Sequence, residues 1–171
     1  MKKVLIAAFT VVLFTACNQE KTAFIDNEKL IENYQEKKDM ETGYEVKMEA
    51  LNKKKDSIGK EFKKEVDAFQ VKAKGMRQQK AQELYQQLGQ KQQFLQQQFQ
   101  QEQQAIAMQS QKEVDSLLSK IDVFVTEYGK TNGYTYIFGK NKAGSVLYGS
   151  DKNDITQQIT DALNTAYGDK K

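Results

Sequence analysis

From residue 40 onward the apolar side chains recur as Met40, Tyr44, Met48, Leu51, Ile58, Phe62, Val66, Phe69, Ala73 and Met76, at spacings of three, four and seven. That rhythm predicts a helix with one narrow apolar stripe, interrupted at Lys55. After a stretch where apolar residues are sparse, the rhythm returns as Val114, Leu117, Ile121, Phe124 and Tyr128, alternating three and four. Between the two stretches 17 of the 35 residues from 78 to 112 are glutamine, among which Leu84, Leu88, Leu95, Phe99 and Ile106 are spread. Glutamine keeps a helix going while leaving its surface wet, so the pattern predicts a long, thinly apolar helical segment.

No proline falls between residues 27 and 130, and the isolated glycines Gly43, Gly59, Gly75 and Gly89 punctuate the stretch. One continuous helix would be about 156 Å long, whereas a hairpin would bring its ends together. The ends decide between them. Thr22-Ala23-Phe24-Ile25-Asp26 is a short β-prone segment, and its partners must come from residues 134 to 148, the other strand-like region. The midpoint lies beside Gly75, so the expected arm is a coiled-coil hairpin over 36–130 with its tip near 74–80. Knobs-into-holes packing should be firmest near the base, where the stripe is densest.

At the amino-terminal side of the arm, residues 22–35 are expected to form a strand and a short helix, capped by Asp26 or Asn27. Beyond it, Thr131-Asn132-Gly133 should end the return helix with a left-handed glycine. Residues 131–171 are then expected to supply a β-hairpin, Tyr134–Phe138 and Ser145–Tyr148, and a final helix started by Asp154 with Gln157 as a capping-box partner. The fold class is α+β, mostly α: a long helical hairpin on a small β body. Three short strands leave two raw edges, and sharing them among several chains is the economical remedy. The body and assembly residues are Phe24, Ile25, Tyr134, Tyr136, Ile137, Phe138, Val146, Leu147 and Tyr148.

The first residues read as a leader. Met1-Lys2-Lys3 is followed by the 11-residue apolar run Val4 to Phe14, the size of a signal-peptide core and too short to span a bilayer. Thr15-Ala16-Cys17 then resembles a bacterial lipobox, with Phe14 standing where such motifs usually have leucine. The expectation is a signal peptide over 1–16, lipidation of Cys17, and a tether over 17–21. The alternative is an ordinary leader with an incidental cysteine.

Composition narrows the chemistry. There are 26 Lys+Arg and 23 Asp+Glu, and removal of Lys2 and Lys3 with the leader leaves 24 against 23. Such a balance is not the footprint of a nucleic-acid binder. Histidine and tryptophan are absent and Cys17 is the single cysteine, so no catalytic triad, zinc cluster or internal disulfide is expected. A glycosidase would need two acids converging in a cleft, yet the acids are spread along solvated helix faces. Neither catalytic residue, metal nor cofactor is expected. The mean hydropathy of −0.75 fits an extended arm better than a large core.

Taken together, the order of pieces resembles the Skp/OmpH family of envelope chaperones over essentially the whole mature chain. The segments carrying the resemblance are Ala23-Phe24-Ile25-Asp26-Asn27-Glu28-Lys29-Leu30 and Gly133-Tyr134-Thr135-Tyr136-Ile137-Phe138, then Val146-Leu147-Tyr148 and Asp154-Ile155-Thr156. The resemblance implies a periplasmic homotrimer whose arms enclose unfolded outer-membrane β-barrel proteins without using nucleotide. Family members are typically soluble in the periplasm and often strongly basic, whereas this chain is almost neutral after cleavage of the leader and carries a lipobox-like cysteine. Client contacts are expected on the arm, at Met76, Leu84, Leu88, Phe94, Leu95 and Phe99. The rival reading is a structural coiled-coil envelope lipoprotein that serves as a spacer or tether.

Overall fold

The computed structural model describes residues 20–142, 144 and 146–169. The leader, Cys17 and the start of the tether lie outside the described residues. The chain runs β1 (Thr22–Asp26), α1 (Asn27–Asn33), α2 (Gln35–Ala73), α3 (Gln78–Thr131) and β2 (Tyr136–Lys140). A 3-10 turn (Asp151–Asn153) and α4 (Thr156–Gly168) follow. The fold is the long helical hairpin on a small β body. Helices α2 and α3 fold back on one another through a turn at residues 74–77, and cross-pairs keep one antiparallel register. As the α2 partner advances from Glu36 through Lys47 and Lys54 to Phe69, the α3 partner retreats from Lys120 through Glu113 and Glu102 to Tyr85.

The long excursion returns β2 to the side of β1. The two strands pair in parallel, Thr22 opposite Tyr136 through Asp26 opposite Lys140. Alternation along them turns Ala23, Ile25 and Ile137 to one face, where α1, α3 and α4 cover them. Ala23, Ile25, Leu30, Tyr34, Leu117, Ile155, Ile159 and Leu163 form the buried cluster, against which Ile121, Phe124, Val125 and Tyr128 of α3 pack. The base of α3 is therefore part of the body.

Local chemistry sets the joints. Asp26 accepts from the backbone N–H of Lys29 at 3.2 Å and so starts α1. Gly133, at φ +69°, lets α3 stop: its N–H donates to the carbonyl of Lys130 at 3.3 Å, and that of Tyr134 donates to the carbonyl of Gly129 at 2.9 Å.

The sheet differs from expectation in one respect. Residues 146–148 form no strand, so the β-hairpin is replaced by a parallel pair of strands, and Tyr134 precedes β2 instead of lying in it. The free side of β1 is claimed by another segment: Phe24 bridges Asp154, and its carbonyl accepts from the N–H of Ile155 at 3.0 Å. Gly149 lies against the Phe24 ring so closely that a Cβ there would stand 2.3 Å from it. The chain passes over this ring on its way to Asp154, which leaves Leu147 and Tyr148 91% and 88% exposed.

Helix α4 also starts differently. Asp154 accepts from the Thr156 N–H at 2.9 Å and from its hydroxyl, which in turn accepts from the Asp26 N–H at 2.9 Å. Gln157 instead donates to Asp161 within the helix.

Candidate functional site

Two surfaces stand out, the seam of the arm and the open side of the body. Along the arm, from Met40 through Ser116, Leu51 alone is buried. Apart from the exposed Val114, the other stripe residues are half-buried, so the two legs share a thin apolar line flanked by ion pairs. Lys54 meets Glu102 at 2.7 Å, Lys47 meets Glu113 at 3.5 Å, and Lys91 pairs with Glu65. Lys54 chiefly, through its hydrogen bond, holds the Glu102 carboxyl below the usual range; Gln109 chiefly, with Lys47 behind it, does so for Glu113. Exposed pairs of this kind add little to stability but set which residues face each other. Lys55, the interruption in the stripe, lays its stem along the seam and places its ammonium 5.9 Å from the centre of the Phe99 ring.

The six expected client residues divide. Met76, Leu84, Leu88, Leu95 and Phe99 are half-buried along the arm, while Phe94 is 64% exposed. Near the tip, Phe69, Met76, Leu84 and Leu88 line an open groove of about 400 Å³, edged by Glu65, Lys72 and Lys91. Tyr85 and Val71, which the stripe did not single out, are more than 70% exposed on the same outer third.

On the body, Tyr136 and Phe138 lie on the sheet face away from the core, 55% and 48% exposed, with ring centroids 5.7 Å apart. Among the described residues, β2 has no strand on its other side. Phe24, on the same face, is buried, and Ile25 and Ile137 turn inward. Tyr134 stacks on Tyr128 at 6.3 Å and receives the Lys21 ammonium 4.0 Å over its ring. Val146 is half-buried.

A second groove, about 320 Å³, opens between Ile31 of α1, Leu118, Ile121 and Val125 of α3, and Ile25 and Ile137 of the sheet. Its apolar α3 wall was legible as a second stripe beside the main one, Leu118, Ile121 and Val125, at spacings of three and four.

Among the described residues no group of His, Cys, Asp or Glu is placed to hold a metal ion, and no helix is long and apolar enough to cross a membrane. A search of curated proteins finds no match to the sequence.

Among solved structures, a crystal structure of an OmpH-like protein of Caulobacter crescentus CB15, assigned as an outer membrane chaperone, superposes with a TM-score of 0.76. The alignment covers 86% of this chain and 85% of that one at 13% identity, so it speaks for the fold. The family model for outer membrane protein (OmpH-like) matches residues 21–163. Strand, hairpin arm, returning strand and the start of α4 all fall inside that match, and this chain belongs to the OmpH-like family.

Proposed function

We propose that this protein is an ATP-independent holdase chaperone of the bacterial envelope, which binds unfolded outer-membrane proteins in the periplasm and keeps them from aggregating. Family membership supports a chaperone-type role in general. The more specific reading rests on the arm, where 77 consecutive positions from Met40 through Ser116 bury one side chain fully. Apolar groups on so thin a seam can leave their partner for a client at small cost. Single Met, Leu and Phe contacts spread over a wet surface accept many sequences without requiring one. Such binding opposes aggregation by mass action and asks for no catalytic group.

The functional unit in this reading is a homotrimer. Its support is the side of β2 that no strand covers among the described residues, the aromatic pair Tyr136 and Phe138, and the exposed Leu147 and Tyr148. Sister subunits would cover these surfaces.

Lipidation at Cys17 belongs to the same proposal. Lys21 lies at the carboxyl end of α3, its ammonium donating to the carbonyl of Asn132 at 2.8 Å. That is the end opposite the tip, so a lipid four residues upstream would hold the base at a membrane and send the arm about 60 Å away from it, the length of α2 at 1.5 Å per residue.

The test is dilution of an unfolded outer-membrane β-barrel protein out of urea, with light scattering as the readout and no nucleotide present. A Cys17→Ser form of the chain is expected to suppress scattering at a few-fold molar excess, and to sediment as a trimer. Undiminished scattering would remove the holdase reading and favour a spacer, and a stable monomer would remove the assembly.

A further inference from the structure

Helices α1 and α2 follow each other with a single residue between them, yet they are two helices. Tyr34 takes an extended backbone, φ −74° and ψ 122°, and its side chain offers no cap. Such a break leaves the last carbonyls of α1 and the first N–H groups of α2 in need of partners. One side chain serves both. Asn164 of α4, about 130 residues further along the chain, accepts through Oδ1 from the Gln35 N–H at 2.8 Å and donates through Nδ2 to the Asn33 carbonyl at 3.2 Å. A primary amide holds acceptor and donor side by side in one plane, which an aspartate, a hydroxyl or an aliphatic residue cannot reproduce.

We infer that Asn164 is a clamp across a hinge at Tyr34, and that the arm opens by α2 turning about this hinge while α3 stays fixed to the body. Helix α3 is the spine, because it runs unbroken from the tip into the core and contributes Leu117, Ile121, Phe124, Val125 and Tyr128 there. Helix α2 contributes only Met40 to that cluster and its surrounding residues.

Further ties between the start of α2 and α4 lie at the same joint. The Tyr167 hydroxyl donates to Asp39 at 3.0 Å, and the Tyr167 ring meets Tyr34 edge-on at 6.1 Å. On the α3 side, the Glu36–Lys120 ion pair crosses an open groove of about 650 Å³ lined also by Phe124, Leu163 and Tyr167, so this exposed pair has to part or follow as α2 turns. The clamp is a property of the fold and holds whether or not the arm carries clients.

The inference can be tested in a Cys17→Ser background by hydrogen exchange, and by spin labels at Glu45 and Lys152 that report the angle between α2 and the body. Asn164→Leu keeps the bulk of the side chain and removes both hydrogen bonds. It is expected to speed exchange of the amides of residues 35–38 roughly five- to thirty-fold, the scale of a lost helix cap. It should also broaden the label distance, while leaving the amides around Leu117 unchanged.

Asn164→Asp keeps the acceptor and loses the donor. The amides of residues 35–38 should then stay protected while the distance broadens, which separates the two halves of the clamp. Unchanged exchange and distance in Asn164→Leu would overturn the inference. So would an equal rise in exchange at Leu117, which would make Asn164 an ordinary contributor to global stability.

Discussion

Phe94→Ser asks whether the arm grips its clients from its outer surface. Phe94 is 64% exposed, so of the roughly 200 Å² an aromatic side chain can bury, about 130 Å² stays wet. Covering that area against an unfolded client would be worth at most ~3 kcal/mol at 25 cal/mol per Å². Ordering the ring and the client takes back about half, leaving ~1–2 kcal/mol, or roughly five- to thirty-fold in affinity for each arm. The same exposure means that serine should change the stability of the chaperone by no more than about 0.5 kcal/mol. Its neighbour Leu95 faces the seam and is half-buried, so Leu95→Ser should lower stability by roughly 1–3 kcal/mol and loosen the arm. Titration of a fluorescently labelled, urea-unfolded β-barrel protein with each variant, beside thermal melts followed by far-UV circular dichroism, separates the two effects. Unchanged client affinity in Phe94→Ser, with its melting curve also unchanged, would refute the outer-surface reasoning.

Three further expectations concern the body and its titrating groups. Gly149→Ala would place a methyl 2.3 Å from the Phe24 ring, and urea unfolding should register the overpacking as a loss of roughly 1–3 kcal/mol. The lowered pKa values of Glu102 and Glu113 mean that their stabilisation is present above the ordinary value of 4.5 and is lost as pH falls through the folded values. Acid should therefore weaken the arm only slightly, because both carboxyls are exposed, and Glu102→Gln should make that small acid loss shallower. Burial first, and the hydrogen bond to Glu36 second, raise the Tyr34 phenol above its ordinary 10.0. A raised value gives stability that is intact below pH 10 and declines above it, by at most about 1.4 kcal/mol per pH unit; Tyr34→Phe should flatten that alkaline decline.

What could be read from the sequence follows from how strongly each segment's period is enforced. The stripe from Met40 to Met76 repeats for ten members, and every member faces inward in the folded hairpin. Where apolar residues come in adjacent pairs among glutamines, spacing cannot tell which one faces in, because neighbours on a helix point about 100° apart. Phe94 and Leu95 are such a pair, and the smaller one went inside. Val114 looks like a member of the base stripe, yet it is 39% exposed and Glu113 takes the place nearer the seam, held by Lys47 and Gln109. The run Val146-Leu147-Tyr148 has the composition of a strand, but Asp154 takes the edge of β1 beside Phe24, and the run leaves the open edge of β2 unpaired. Nothing local to residues 145–148 encodes that competition.

The polar substitutes within the seam carry a consequence for the order in which the arm comes apart. Lys55, Glu102 and Glu113 are half-buried along it, and their heads reach partners on the rim. A core that admits charged residues in this way gains little from each turn it closes, because the stems bury little apolar area and the heads stay wet. At the base the balance reverses: Leu117, Ile159 and Leu30 are each no more than 2% exposed. Since that cluster takes five residues from α3 and only Met40 from α2, separation of α2 from α3 can run down from the tip without disturbing the core until it reaches Tyr34. A client that competes for the seam therefore meets a resistance that rises toward the body, and the broken joint at Tyr34 is where the opening should stop.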